Sequence, residues 1–242
     1  PEVKKHQDAF FWTNHTYDHL DLNTVDYTTA MNEIEQNIQI AQKLHFARFS
    51  PLTMVTPDVS GLTNPAFLQA AYDAGVRYLV TDTSVTGYNN PSPNVGIYNT
   101  YQPAILMVPR RPTNIFFNTS TPDQEVAEYN CIYQSYWGHA LTYSQILNQE
   151  SGTALTFMLL GNADPMMFHQ PNLRAYDGTH SLLGDFITST MAQYSALYDL
   201  PVKSLREDEV GQLEAARMQF NGAGVSGTLG PGDTITLSAQ GG

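Results

Sequence analysis

The chain has 242 residues, 42% of them hydrophobic, which is enough to bury a sizeable core without requiring a second domain. Its formal charge of -12, with only 11 Lys and Arg and no basic stripe, disfavours binding to nucleic acid or to an anionic membrane surface. No stretch approaches the ~18 consecutive apolar residues of a membrane span, and the single Cys131 excludes an intrachain disulfide and a cysteine-based zinc site.

Strand and helix signals alternate along the chain, which predicts an α/β fold with parallel strands and helical crossovers. Phe10-Phe11-Trp12-Thr13 reads as the first strand. Met31, Ile34, Ile38, Ala41 and Leu44 share one helical face and predict a helix over 28–46. Ala47-Arg48-Phe49-Ser50-Pro51 follows as a short strand ending in a loop. Asn64-Pro65 supplies a cap and a first-turn proline, and Gly75 a stop, so 64–74 is expected to be helical. Tyr78-Leu79-Val80-Thr81 is the next strand. Residues 85–99, dense in Asn, Pro, Gly and Ser, predict a long surface loop. Beyond it we expect strands at 104–108 and 115–118, a helix over 122–148, a strand at 155–160, and helices at 181–198 and 206–220. The last segment, 222–242, reads as a Gly-rich tail ending in a strand at 234–238, which divides the chain into a domain at 1–221 and a tail.

The most informative run is Asn14-His15-Thr16-Tyr17-Asp18-His19, where the first strand opens into two histidines four residues apart. One helical turn would bring both imidazoles to one face, close enough to hold one metal ion. From the residues alone, the pair is either such a site or two solvated histidines near a helix start. In parallel α/β folds, functional groups collect at the carboxyl edge of the sheet. His15, Arg48, Asp82 and His169 each follow a predicted strand at short distance. No Gly-x-Ser-x-Gly elbow, phosphate loop or dinucleotide fingerprint is present, which lowers serine-hydrolase and nucleotide readings.

The His15-Thr16-x-x-His19 motif, Arg48-Phe49-Ser50-Pro51, the segment from Ala74 to Asp82 and Met167-Phe168-His169-Gln170 together resemble the polysaccharide-deacetylase homology domain, the NodB-type carbohydrate esterases. Within it, Asn14-His15-Thr16-Tyr17-Asp18-His19, Val55-Thr56-Pro57-Asp58-Val59-Ser60-Gly61-Leu62 and Met167-Phe168-His169-Gln170-Pro171-Asn172-Leu173 together are most similar to the fungal galactosaminogalactan deacetylases and their bacterial relatives. The resemblance implies an α/β fold of the distorted or incomplete (β/α) barrel type. It implies metal-dependent N-deacetylation of an amino-sugar polysaccharide containing N-acetylgalactosamine, by a protein that is secreted or associated with the cell wall.

The same resemblance makes His15 and His19 ligands of Zn2+ or another divalent transition metal, and His169 the general acid. Arg48 would orient the catalytic base, and Asp82 would bind substrate or orient Arg48. Tyr17 and Trp12 are candidates for sugar stacking. The family's aspartate motif, which supplies the third ligand and the base, has no counterpart: neither Asp-Asp nor Asp-x-Asp occurs in the chain. The expectation is therefore a C-terminal part of a longer catalytic domain, inactive by itself. A catalytically silent polysaccharide-binding or scaffold module is the alternative.

Overall fold

The computed structural model describes residues 2–88 and 93–239, so Asn89 to Ser92 of the expected loop lie outside the described residues. The chain forms two compact units, Pro1–Arg110 with Leu205–Gly242, and Arg111–Ser204.

In the first unit, α1 (Glu2–Lys5) and a 3-10 turn (Gln7–Ala9) precede β1 (Trp12–Asn14), α2 (Tyr27–Leu44), β2 (Phe49–Val55), a 3-10 turn (Pro57–Val59), α3 (Pro65–Asp73), β3 (Tyr78–Val80), β4 (Ile97–Tyr98) and β5 (Leu106–Val108). The sheet order is β1-β2-β3-β5-β4, parallel except for the β4–β5 pair. The alternating pattern thus gives the expected α/β fold. The described strands form an open sheet with β1 and β4 at its edges, and they do not close into a barrel.

Capping sets the helix limits. The Asp26 carboxylate accepts the Thr29 N–H at 2.8 Å to start α2, and His45 ends it in a left-handed conformation. The Asn64 side chain accepts the Ala66 N–H and donates to the carbonyls of Leu22 and Val25, tying α3 to the segment before α2. Ile34 of α2, Met54 of β2, Phe67 and Leu68 of α3 and Leu79 of β3 meet in the core with no exposed surface. Each such side chain contributes about 1.5–3 kcal/mol through burial.

β2 runs farther than the sequence suggests. Pro51 cannot donate to a sheet ladder, which argues for a strand end there, but the pairing with β1 is irregular at this point: Thr13 lies opposite Ser50, and Asn14 opposite Met54. The proline is absorbed in the irregularity, and the strand continues to Val55.

The second unit contains β6 (Arg111–Pro112), α4 (Pro122–Trp137), α5 (Tyr143–Leu159), β7 (Met166–Met167), a 3-10 turn (Gln170–Leu173) and α6 (Leu182–Ser195), with β6 and β7 parallel. Three expectations are corrected here. The single helix over 122–148 is two, because Gly138 ends α4 at φ 75° and Thr142 begins α5 with a capping box to Gln145. The expected strand at 155–160 is the end of α5 and its cap, where Ala154 packs on Ile115, Leu182 and Phe186 of the same unit. Residues 115–118 form bends and a turn rather than a strand.

The chain then returns to the first unit with α7 (Glu207–Gly222) and an antiparallel hairpin of β8 (Ser226–Gly230) and β9 (Thr234–Ser238). The expected boundary at 221/222 falls at the end of α7, but the chain's main divisions lie after Arg110 and after Ser204. α7 packs closely on the sheet: a Cβ on Gly211 would collide with the Tyr78 ring of β3. No helix among the described residues is long and apolar enough to cross a membrane.

Within the second unit, Glu125 is fully buried. Its Oε2 accepts from the Thr119 hydroxyl at 2.7 Å and the Phe116 N–H at 3.1 Å, while Oε1 has no partner among the described residues. Burial raises its carboxyl above the usual range, although the Thr119 and Phe116 hydrogen bonds pull it down. A raised folded-state value means that stability present below pH ~4.5 is lost as the pH rises through that value. Glu125→Gln is therefore expected to melt higher than the parent at pH 8, by ~2–4 °C for about 1 kcal/mol, with the gain vanishing near pH 4. Thermal melts at the two pH values check this.

Candidate metal centre

His15 immediately follows β1, and its Nδ1 lies 2.8 Å from the Val55 carbonyl at the end of β2. Since a carbonyl only accepts, Nδ1 carries the proton, and Nε2 is left with its lone pair for a metal. The His19 ring lies edge-on to it, with the centroids 4.9 Å apart. The two rings lie together as expected, but not for the expected reason. No helical turn joins them; Thr16 and His19 adopt left-handed conformations, φ 64° and 58°, and α2 begins only at Tyr27.

Such a backbone, unfavourable for a β-branched Thr, persists because its polar groups are held from several sides. The Thr16 N–H donates to Asn14 Oδ1, the Asn14 amide donates to the Ile34 carbonyl, and the His19 N–H donates to the Thr16 hydroxyl. From α2, buried Glu33 accepts the N–H groups of Tyr17 at 3.0 Å and Asp18 at 2.8 Å, and Asn37 donates to the Thr16 carbonyl at 2.6 Å. Glu33 and Asn37 belong to the expected helix, but their role in holding the histidine loop is not assigned from the sequence. Their signal was a pair of polar residues four apart on a helix whose next face is apolar.

Partial burial is the main cause lowering the His15 pKa, reinforced by His19 and Arg110 and opposed by the Val55 carbonyl and Asp58. A neutral imidazole is the form that binds metal. Two imidazoles suit Zn2+, but a site needs more donors, and among the described residues no group of three or more His, Cys, Asp or Glu could hold an ion. The two histidines fit part of a zinc donor set.

Other expected residues are distributed unevenly. Asp82 follows β3 at the same carboxyl edge, nearly buried, with Oδ1 accepting the Ser84 N–H at 2.8 Å and hydroxyl at 2.7 Å. Tyr17 is half exposed in the histidine loop. Arg48 is at the wrong end: it precedes β2, a strand of seven residues that places it about 20 Å from the carboxyl edge. There its guanidinium lies 4.9 Å over the Phe11 ring. It is not the arginine of this edge, and Asp82 does not orient it. Trp12 also serves packing, stacked on Phe46 at 4.5 Å with its indole N–H donating to the Gln7 carbonyl.

The arginine at the carboxyl edge is Arg110, two residues beyond β5, whose carbonyl accepts the Thr83 N–H at 3.0 Å. Its sequence signal was Pro109-Arg110-Arg111-Pro112 directly after an expected strand. Two consecutive non-glycine residues with positive φ, Asp58 at 49° and Val59 at 56°, follow β2 at this same edge.

His169 belongs to the second unit. It follows β7, half-buried, with its ring 5.8 Å from Phe117 and its N–H donating to Asn172 Oδ1. Buried Asn172 in turn donates to the carbonyls of Phe116 and Thr119, fixing the backbone that carries the histidine.

Comparison with known families shows that the model of the Agd3 deacetylase domain matches residues 2–226. A solved structure described as Agd3, a novel carbohydrate deacetylase, is similar with a TM-score of 0.87 and 23% identity, covering 98% of this chain and 38% of that one. The chain therefore spans well under half of that protein's length. A search of curated proteins found no match.

Proposed function

Because this chain belongs to the Agd3 deacetylase family, we propose that it forms part of a metal-dependent N-deacetylase of an amino-sugar polysaccharide containing N-acetylgalactosamine. The observation that carries this reading is the imidazole pair at the sheet's carboxyl edge, with one ring's tautomer fixed for ligation. His15 and His19 hold Zn2+ or another divalent transition metal. Bound there, the ion would supply Lewis acidity toward an amide oxygen and a lowered pKa for water. The third ligand and the catalytic base are a carboxylate pair from outside these 242 residues. A strand beside the free edge of β1 would lie about 4.8 Å away, within reach of the histidine loop.

In the reaction, water adds to the acetamide carbonyl, the C–N bond breaks, and the departing nitrogen takes a proton from His169, giving acetate and a free amine. Asp82 and exposed Tyr17 contribute to substrate binding. A polymer substrate of this kind places the enzyme outside the cell or at its wall. The test is acetate release from N-acetylgalactosamine oligomers by the protein expressed from its complete reading frame. Release that stops on chelation and returns with Zn2+ is expected, and absence of release with Zn2+ present would overturn the reading.

A further inference from the structure

Single apolar side chains on a protein surface are ordinary and carry no meaning by themselves. Phe117 of the second unit differs in how it is mounted. It is 66% exposed, so its ring has an open face, and it projects from a turn closed by the Thr119 N–H donating to the Phe116 carbonyl at 3.1 Å. Buried side chains fix that turn. Glu125 accepts the Phe116 N–H, the Thr119 hydroxyl donates to the same carboxylate, and the Asn172 amide donates to the carbonyls of Phe116 and Thr119. Asn172 also accepts the His169 N–H, and the Phe117 and His169 rings lie 5.8 Å apart, inclined by 65°. An apolar ring, unfavourable to leave in water, is thus held rigidly beside the imidazole before any ligand arrives.

We propose that Phe117 is the platform on which the hexosamine ring bearing the scissile acetamide stacks, with its nitrogen toward His169. The assignment rests on the deacetylase reading given above and deepens it, by naming what holds the sugar rather than its acetyl group. The ligand class follows from the ring. A phenyl face is apolar and weakly negative, so it disfavours a phosphate or a carboxylate and attracts C–H groups. A pyranose carries its hydroxyls around the rim and C–H groups on its faces, which matches a flat apolar surface as an open-chain acetamide does not.

Distance supports the placement. A sugar ring in contact with the phenyl stands about 3.5–4.0 Å above it. With the imidazole centroid 5.8 Å from the phenyl centroid, a nitrogen on the sugar's rim can come within hydrogen-bond reach of His169, as proton donation to it requires. Trp12, which the sequence suggests for sugar stacking, is packed on Phe46 instead.

Steady-state kinetics of acetate release from N-acetylgalactosamine oligomers tests the platform on the protein from its complete reading frame. Phe117→Ala should raise KM ~10-fold or more, the scale of one lost aromatic contact, while kcat and its pH profile hold. Phe117→Tyr and Phe117→Trp should keep KM within ~3-fold of the parent, whereas Phe117→Leu, apolar but not flat, should behave like alanine. A merely structural role would not follow ring flatness. Because most of the side chain is exposed, all four variants should melt close to the parent. An unaltered KM in Phe117→Ala, with metal-dependent release intact, overturns the platform and leaves the deacetylase reading standing. So does full recovery in Phe117→Leu, or a lowered melting temperature without a change in KM, which would show the ring covered by another part of the chain. A fall in kcat with a shifted pH profile at unaltered KM would assign Phe117 to positioning His169 and likewise overturn the platform. A parent protein without metal-dependent release overturns the deacetylase reading and the platform with it.

Discussion

Alanine in place of His15 or of His19 is expected to reduce acetate release at least ~100-fold and to remove most bound Zn2+, since even loss of a group supporting a ligand costs 10–100-fold. Neither variant should lose intrinsic stability. The His15 ring makes one hydrogen bond, to the Val55 carbonyl, so its loss leaves the sheet intact. His19 contributes its backbone N–H to the Thr16 hydroxyl, a bond that alanine retains. Both should therefore melt close to the parent once metal is removed, and the contrast should appear only with metal present, measured by thermal melts with and without chelator. The lowered pKa of His15 adds a pH signature. The folded-state ring keeps its neutral form to more acidic pH than a free imidazole does, so metal content should begin to fall only at correspondingly lower pH. A metal content unaffected by both substitutions would remove the metal centre.

His169→Ala is expected to lower kcat by ~10²–10⁴-fold with metal content unchanged, the range typical of proton transfer by a positioned side chain. The local structure makes this a clean experiment. The turn is held in part by the His169 N–H on Asn172 and the Asn172 amide on Phe116 and Thr119, bonds that alanine retains. The backbone should therefore keep its course, and any loss of turnover would report chemistry rather than unfolding. An unchanged kcat would eliminate His169 as the acid.

The elements that bear the candidate metal centre were legible because local signals agreed with the fold. Ile34, Ile38 and Ala41 on one face, Asp26 as a cap and Asn64-Pro65 before α3 each specify their element without help from distant residues. The errors arose where tertiary context prevailed. Pro51 argued for a strand end and was accommodated by irregular pairing, which moved Arg48 from the expected edge to the opposite end of the sheet. The apolar run at the end of α5 has strand-like composition but is helical, continuing from the Thr142 capping box and packed through Ala154. The division into two units has no compositional marker at either boundary, because Arg110 and Arg111 are adjacent and identical while belonging to different units.

The two histidines are held by different parts of the fold. His15 is bound to β2 through Val55, whereas the backbone leading to His19 hangs from α2 through Glu33 and Asn37. A slide of α2 along the sheet would carry one ring and leave the other behind, so the bite of the pair gauges how the helix sits on its strands. Substitutions at Ala30 or Ile34, deep in the core and out of reach of any substrate, would then retune the metal's preferred coordination without altering a single ligand.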